Sequence, residues 1–331
     1  MKDTAVIILN WNGADMMRRF LPEVVRSTPA EEADVIVADN GSTDNSLQVL
    51  AEEFPSVKVI VLDKNYGFAE GYNRALASVE HEYAVLLNSD VATSDGWLDA
   101  LNAEMRDNAD VAACQPKILS AERRNMFEYA GACGGYLDRH GYPYCRGRIF
   151  GTVEEDRGQY DTSADVAWAS GAALMVRRKE YLAAGGLDGA FFAHMEEIDL
   201  CWRLRLRGFR VRVVPASKVY HLGGGSLPAG NPRKTYLNFR NNLLMLYKNL
   251  PHKGRRKALI VRRLLDTIAW AKSVATLQWG DAVAILRAHR DFRRMKRAYD
   301  GLPSPTANLI SGEPDILTSY YLKGKKEYSR L

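Results

Sequence analysis

Short runs of β-branched and aliphatic residues alternate with helical periods through the first ninety positions of the chain. The runs Ala5–Asn10, Asp34–Asp39, Val57–Leu62 and Tyr83–Asn88 are separated by Met16–Val25, Leu47–Phe54 and Ala69–Val79, whose apolar residues recur at helical spacing. The order predicted is βαβαβαβ. Because the strand runs are continuously apolar rather than alternating, both faces of each strand are expected to be buried, in a mostly parallel sheet flanked by helices. Such sheets bind ligands beyond the carboxyl ends of their strands. Polar residues collect at those ends: Asn10-Trp11-Asn12-Gly13, Asp39-Asn40-Gly41-Ser42-Thr43-Asp44, Asp63-Lys64-Asn65-Tyr66-Gly67 and Asn88-Ser89-Asp90.

From Gly131 to Asp165 the periodicity fades into a Gly-, Tyr- and Arg-rich stretch that predicts hairpins and a mobile loop. Order returns with the apolar run Val166–Val176, a short helix near Lys179–Ala184, a helix near Glu196–Arg207 and a strand Val211–Val214 ahead of Pro215. Residues 235–299 read as helical and basic, and the last thirty, with Pro303, Pro305 and Pro314, as an extended tail.

The composition, 331 residues with 47% apolar and 26% charged, is that of a folded globular chain. Cys114, Cys133, Cys145 and Cys201 show no C-x-x-C spacing, so buried reduced thiols are expected rather than a zinc cluster or a disulfide framework. No window approaches 18 uncharged apolar residues and no signal peptide is evident, so neither secretion by a leader nor a membrane span is expected. The net charge of +5 conceals an asymmetry: residues 252–299 hold 13 Lys and Arg against 3 Asp, leaving the remainder at −5. Nucleic acid fits this basic stretch poorly, for it lacks any recognisable binding motif.

Several constellations can carry chemistry. Asp39–Asp44 offers a carboxylate, a glycine and N-cap hydroxyls, suited to a nucleotide base and ribose or simply to a βα turn. Asn65-Tyr-Gly-Phe-Ala-Glu-Gly-Tyr-Asn73 places two glycines at a helix start, where amides can meet a phosphate or the glycines can serve packing. It is neither G-x-G-x-x-G nor a Walker A loop. Asn88-Ser89-Asp90 is a hard-oxygen set suited to Mg²⁺ or Mn²⁺ on a diphosphate. Glu196, Glu197 and Asp199 open a helix that Arg203, Arg205 and Arg207 close, which complements the helix dipole. The preceding Ala-Phe-Phe-Ala-His194 is an apolar approach able to desolvate one of these acids and raise its pKa toward that of a general base. His221 follows a strand and precedes a glycine loop, as a structural side chain or a metal ligand.

Taken in order, these segments resemble the family 2 glycosyltransferases, inverting enzymes of the GT-A fold, and in particular their rhamnosyltransferase-like branch. The most specific stretch is Gly186-Leu-Asp-Gly-Ala-Phe-Phe-Ala-His-Met-Glu-Glu-Ile-Asp-Leu-Cys-Trp-Arg203. The resemblance implies a GT-A domain over 1–230, with a nucleotide-binding half to about 110 and an acceptor half over 111–230, then a helical basic extension over 231–300 and the tail over 301–331. It implies a nucleotide-sugar donor, of dTDP-rhamnose or UDP-hexose type, held by Asn10, Trp11, Asn12, Asp39, Asn65, Gly67, Asn73, Asn88, Ser89 and Arg240. A divalent cation, Mn²⁺ or Mg²⁺, is implied near Asp90 and His221, and Trp168, Ser170 and Gly171 match the acceptor side. In the family an Asp at the position of Glu197 deprotonates the acceptor hydroxyl; Glu196 is the alternative here. The chain departs from the family in carrying Asn88-Ser-Asp90 for DXD and Glu196-Glu197 for Glu-Asp. The implied setting is cytoplasmic, on a glycan or polyprenyl-linked acceptor. The cationic amphipathic segment 252–299 reads equally as a peripheral membrane contact at the inner face, a cap on the catalytic domain or an oligomer contact. A sugar nucleotidyltransferase and a catalytically silent scaffold of the same fold are the competing readings.

Overall fold

The computed structural model describes residues 2–223 and 230–331. The first half follows the predicted alternation: β1 (Thr4–Asn10), α1 (Ala14–Ser27), β2 (Ala33–Asp39), α2 (Ser46–Glu53), β3 (Lys58–Val61), α3 (Gly67–Ala77) and β4 (Tyr83–Asn88). There follow β5 (Val91–Thr93), α4 (Trp97–Asp107) and β6 (Val111–Ser120). Val6 and Ile8 of β1 belong to the core under α1 and α4, whereas Ala5 and Ile7 belong to the core under α3, so the strand is buried on both faces as its apolar run requires.

Register aligns the strand tips. Asn10 stands opposite Asp39 in the parallel β1–β2 pair, and Leu9 opposite Asn88 in the β1–β4 pair. The stretch expected to hold a mobile loop instead builds a second, four-stranded antiparallel sheet from β7 (Gly135–Leu137), β8 (Pro143–Cys145), β9 (Arg148–Ile149) and β10 (Thr152–Val153). Its strands are too short for a readable period, and it is ordered by tertiary burial: Tyr144 and Ile149 share a core with Ile316. The last thirty residues are accordingly not an extended tail. They fold back so that Tyr328 stacks on Tyr136 with ring centroids 5.4 Å apart.

The main sheet is completed by β11 (Ala164–Asp165), β12 (Ala173–Arg177) and, after α5 (Arg178–Ala183) and α6 (Glu196–Leu206), β13 (Arg210–His221), giving the order β11-β13-β6-β12-β4-β1-β2-β3 with β5 on β13. Strand β12 runs antiparallel between β4 and β6, which brings Gly171 and Ala172 to the tip of β4, where the Asn88 amide donates to the Ala172 carbonyl at 3.0 Å. Strand β13 does not stop at Pro215. Proline cannot donate to the ladder, and the register slips between Val214 and Lys218 instead; pairing then resumes to His221, opposite Val91 and Ser120. The bulge therefore delivers His221 beside Asp90.

Helices α7 (Pro232–Asn249), α8 (His252–Ala275) and α9 (Trp279–Met295) follow. All four cysteines are buried free thiols, and among the described residues no helix is long and apolar enough to cross a membrane. α8 presents polar groups to the protein: Arg262 donates to Asp266 at 2.8 Å and to Asn242, and His289 of α9 meets Asp266 at 3.0 Å. Removing one member of such a buried set leaves uncompensated charge, so Asp266→Ala is expected to lower unfolding stability by about 3–5 kcal/mol, read from urea midpoints with unchanged slope.

Candidate active site

The cleft lies at the carboxyl ends of β1, β2 and β4, closed on one side by the start of α6. At the first tip Asn10 is buried and donates to Asp39 (3.0 Å) and to Ser42, while Asp39 also accepts from the Ser42 amide (2.9 Å). Asn12 accepts from the amides of Thr43 and Asp44, fastening the β1 tip to the β2 loop. Trp11, between them, is 55% exposed, a large aromatic left open at a strand tip. The Asn10 Oδ1 atom is buried without a partner, an acceptor that water or a ligand donor would satisfy.

The glycine-rich start of α3 is differently used than its pattern suggests. The Gly67 amide is capped by Asn65 Oδ1 (2.8 Å), and the Phe68 amide is taken by the Phe192 carbonyl (3.2 Å). Gly67 has φ +77°, and a Cβ there would stand 2.8 Å from the Phe192 ring. These leading amides are therefore taken up within the protein, that of Gly67 by its own segment and that of Phe68 by the loop before α6, rather than presented to phosphate. Asn73 likewise bridges to that loop, donating to the Leu187 carbonyl (2.7 Å) and accepting from Tyr181 (2.6 Å) and the Leu187 amide (2.9 Å).

The loop itself is unusual in its backbone. Phe192, His194 and Met195 have φ of 66°, 69° and 72°, a left-handed conformation that non-glycine residues adopt at a cost in strain. α7 holds it. The Asn241 amide nitrogen lies within hydrogen-bond distance of the carbonyls of Phe191 (3.0 Å), Ala193 (2.8 Å) and His194 (2.7 Å), and Arg240 donates to those of Ala190 (3.1 Å) and Phe191 (2.8 Å). Arg240 is thus engaged with the backbone of this turn.

The turn sets three carboxyl groups into three environments. Asp199 is fully buried, yet Arg203 (2.8 Å), Lys248 (2.9 Å) and Asn249 (2.7 Å) outweigh burial and hold it below the usual carboxylate range. Glu196 is also buried, and burial together with the neighbouring Glu197 charge pushes its carboxyl well above that range. Glu197 is half-buried beside Gly171; burial, opposed by hydrogen bonds from the first amides of α6, pushes it up to about 7. One oxygen of each glutamate has no hydrogen-bond partner.

At the β4 tip, Asp90 Oδ1 lies 3.1 Å from His221 Nε2, and Asn88 Nδ2 lies 3.4 Å from the same nitrogen. Glu128 stands 3.3 Å from His221 Nδ1. Burial disfavours the charged imidazole, but Asp90 and Glu128 together push its pKa up to about 10. Glu128 was not legible in the sequence, because it lies in the irregular stretch after β6 and gains its role only by contact. Ser89 is half-buried beside Asp90. Gly224–Ser226, the rest of the expected glycine loop, lie outside the described residues.

On the expected acceptor side, Trp168 is buried, with its Nε1 on the Tyr136 carbonyl (2.9 Å) and its ring against Gly135. Ser170 is buried and bonded to Ala130, so both serve the core. Gly171 is buried as well, but it borders the glutamate: a Cβ there would come 3.4 Å from the Phe68 ring and 3.8 Å from the Cβ of Glu197.

Residues 5–159 match the model described as Glycosyl transferase family 2. The match spans a little under half of the chain, and it is this N-terminal part that is similar to family 2 glycosyltransferases. The protein is a glycosyltransferase with rhamnosyltransferase relatives. It is 26% identical over 230 residues to an N-acetylglucosaminyl-diphospho-decaprenol L-rhamnosyltransferase of Mycobacterium tuberculosis (strain ATCC 25618 / H37Rv), covering 65% of this chain and 75% of that one. It is 24% identical over 275 residues to the rhamnosyltransferase WbbL of Escherichia coli (strain K12), covering 80% and 97%. Among solved structures, GalNAc-T7 with UDP, GalNAc and Mn²⁺ superposes with a TM-score of 0.59 at 15% identity, over 75% of this chain and 48% of that one. The mannosyltransferase PcManGT from Pyrobaculum calidifontis, in complex with GDP-Man and Mn²⁺, gives 0.52 at 16% identity, over 90% and 84%. These superpositions establish the GT-A fold.

In this glycosyltransferase the high pKa of Glu197 has a consequence for stability. Its carboxyl binds a proton more tightly folded than unfolded, so the stability it contributes below about pH 4.5 is lost as pH rises through about 7. Glu197→Gln removes that loss. The variant is expected to melt at or above the wild-type temperature at about pH 8, and no higher than wild type at about pH 4, by thermal denaturation at the two values.

Proposed function

We propose that the protein is an inverting transferase that moves a sugar, of rhamnosyl or hexosyl type, from a nucleoside diphosphate to a hydroxyl of a glycan or polyprenyl-linked acceptor, with Glu197 as general base. The observation that carries this reading is the contrast between the two glutamates: Glu196 is buried with its carboxyl pushed well above the usual range, whereas Glu197, half-buried beside Gly171, has a carboxyl pushed up to about 7, where a base works best at neutral pH. The relatives' rhamnosyl and decaprenol names support the substrate class. In the step, the acceptor oxygen bonds to the anomeric carbon, the bond from that carbon to the diphosphate oxygen breaks on the opposite face, and the acceptor proton passes to the Glu197 carboxylate.

Trp11, Asn10 and Asp39 are positioned to take the nucleoside, with the unpartnered Asn10 Oδ1 as an acceptor for it. A divalent cation fits the β4 tip: Asp90 and His221 supply a carboxylate and an imidazole, and Glu128 on Nδ1 would orient the ring, while the remaining positions suit phosphate oxygens. When bound, such an ion neutralises charge on the departing diphosphate. Asp90 and Glu128 occupy opposite nitrogens of His221, so they form no three-ligand cage; among the described residues none is present.

Two measurements test this. Of UDP, dTDP, GDP and CMP, one is expected to raise the melting temperature more with Mn²⁺ than without, since ligand at about 100-fold over Kd adds about 2.7 kcal/mol; no shift with any of them favours the silent scaffold. Transfer should rise roughly tenfold per pH unit up to about pH 7 and then level, as Glu197 ionises. Glu197→Gln should abolish transfer while sparing the nucleotide shift; substantial turnover in that variant would move the base to Glu196.

A further inference from the structure

α8 is turned inside out. Its inward stripe is polar, Arg262, Asp266 and Ser273, while Ile260, Leu264 and Ile268, at a four-residue spacing, face solvent and are each more than half exposed. α9 is not inverted, since Ala282, Ile285, Ala288 and Phe292 are buried, but it too leaves apolar side chains in solvent: Val283 and Leu286 are more than half exposed. The His289–Asp266 bond joins positions nearly equidistant from the turn at Leu277, so the helices form an antiparallel hairpin. Its tip is apolar, with Leu277 71% and Trp279 59% exposed. Soluble surfaces rarely gather so many large apolar side chains without a partner.

The charges identify the partner. The hairpin's three carboxylates are all engaged toward the protein: Asp266 with Arg262 and His289, Asp281 with Thr235, and Asp291 with Tyr236. Arg256, Lys257 and Arg263 of α8 and Arg287, Arg293 and Arg294 of α9 are exposed and, among the described residues, form no ion pair with a carboxylate. We propose that this face is a docking surface for an anionic phospholipid bilayer, the apolar side chains entering the acyl boundary and the cations lying at the headgroups. A second copy of the chain is disfavoured because two-fold pairing would oppose one cationic rim with another. The tip lies on the cleft side of the molecule: a Cβ on Gly280 would meet Pro232 at 2.7 Å, and the adjoining Arg233 lies 5.2 Å over the ring of Phe192, in the turn before Glu196. Docking through the hairpin holds that turn close to the membrane surface, where a lipid-linked acceptor would lie.

Vesicle co-flotation of the full chain tests the proposal. Binding is expected to phosphatidylglycerol-containing vesicles, weak binding to phosphatidylcholine alone, and a fall with added salt. Leu264→Glu combined with Leu286→Glu, both at exposed positions, should weaken binding roughly tenfold or more without moving the melting temperature or the nucleotide shift. Brominated phosphatidylglycerol should quench wild-type tryptophan emission, and Trp279→Phe should remove most of the quenching; this reads insertion without relying on the double variant. Binding indifferent to anionic lipid, a double variant that binds as wild type, or a lipid-free dimer that the double variant dissociates would each overturn the proposal, the last naming a second copy as occupant. Transfer to a soluble acceptor should be unchanged in the double variant, so failure of docking and failure of the enzymatic reading are distinguishable.

Discussion

The clamp that α7 places on the left-handed turn before α6 is the constraint on which the cleft depends. Phe192, His194 and Met195 adopt positive φ without glycine, and such backbone persists only where its surroundings over-determine it. Asn241 and Arg240 supply that restraint through four backbone carbonyls, and Phe192 is fitted against Gly67, where no side chain can intrude. The direction in which α6 enters, and with it the placement of Glu196 and Glu197, follows from this clamp. The amides and glycine at the start of α3 belong to the same arrangement, which is why they are engaged with protein rather than open to phosphate.

One helix start then holds three acids in three states. The N-terminal amides favour negative charge, but burial opposes it, and the balance is decided by what each side chain meets. Asp199 meets Arg203 and Lys248 and stays ionised. Glu196 meets burial and the charges of Glu197 and Asp199, which together push its carboxyl well above the usual range. Glu197, half-open, falls between them, where proton transfer is balanced. Burial raises the pKa of both glutamates, and that of Glu196 further because the Glu197 charge stands beside it, next to a core that includes Trp202, Tyr181 and Phe191.

The helical extension shows the same economy at larger scale. α9 packs in the ordinary way through Ala282, Ile285, Ala288 and Phe292, but Arg262, Asp266 and Asn242 tie α8 to α7 through buried hydrogen bonds, and α8 leaves Ile260, Leu264 and Ile268 outside. Ordinary amphipathic packing would do the reverse. A helix pattern read alone shows only that one face is apolar and one basic; which of the two faces the protein is a property of the assembled neighbours.

The sequence by itself determined the first seven alternating elements, the buried parallel strands and the gathering of Asn10, Asp39 and Asn88 at their tips, because two-sided burial and βα alternation are written locally in residue type. It also marked Glu197 and His221 as candidates through motif resemblance. Only the tertiary structure decided that β13 passes Pro215 through a bulge, that the Gly- and Tyr-rich stretch forms a sheet closed by the C-terminal residues, and that Arg240, Asn73 and Trp168 act within the protein. Glu128 and Asn241 were invisible for the same reason: their partners are more than forty residues away in sequence, and neither periodicity nor local propensity carries information about a contact made at that separation.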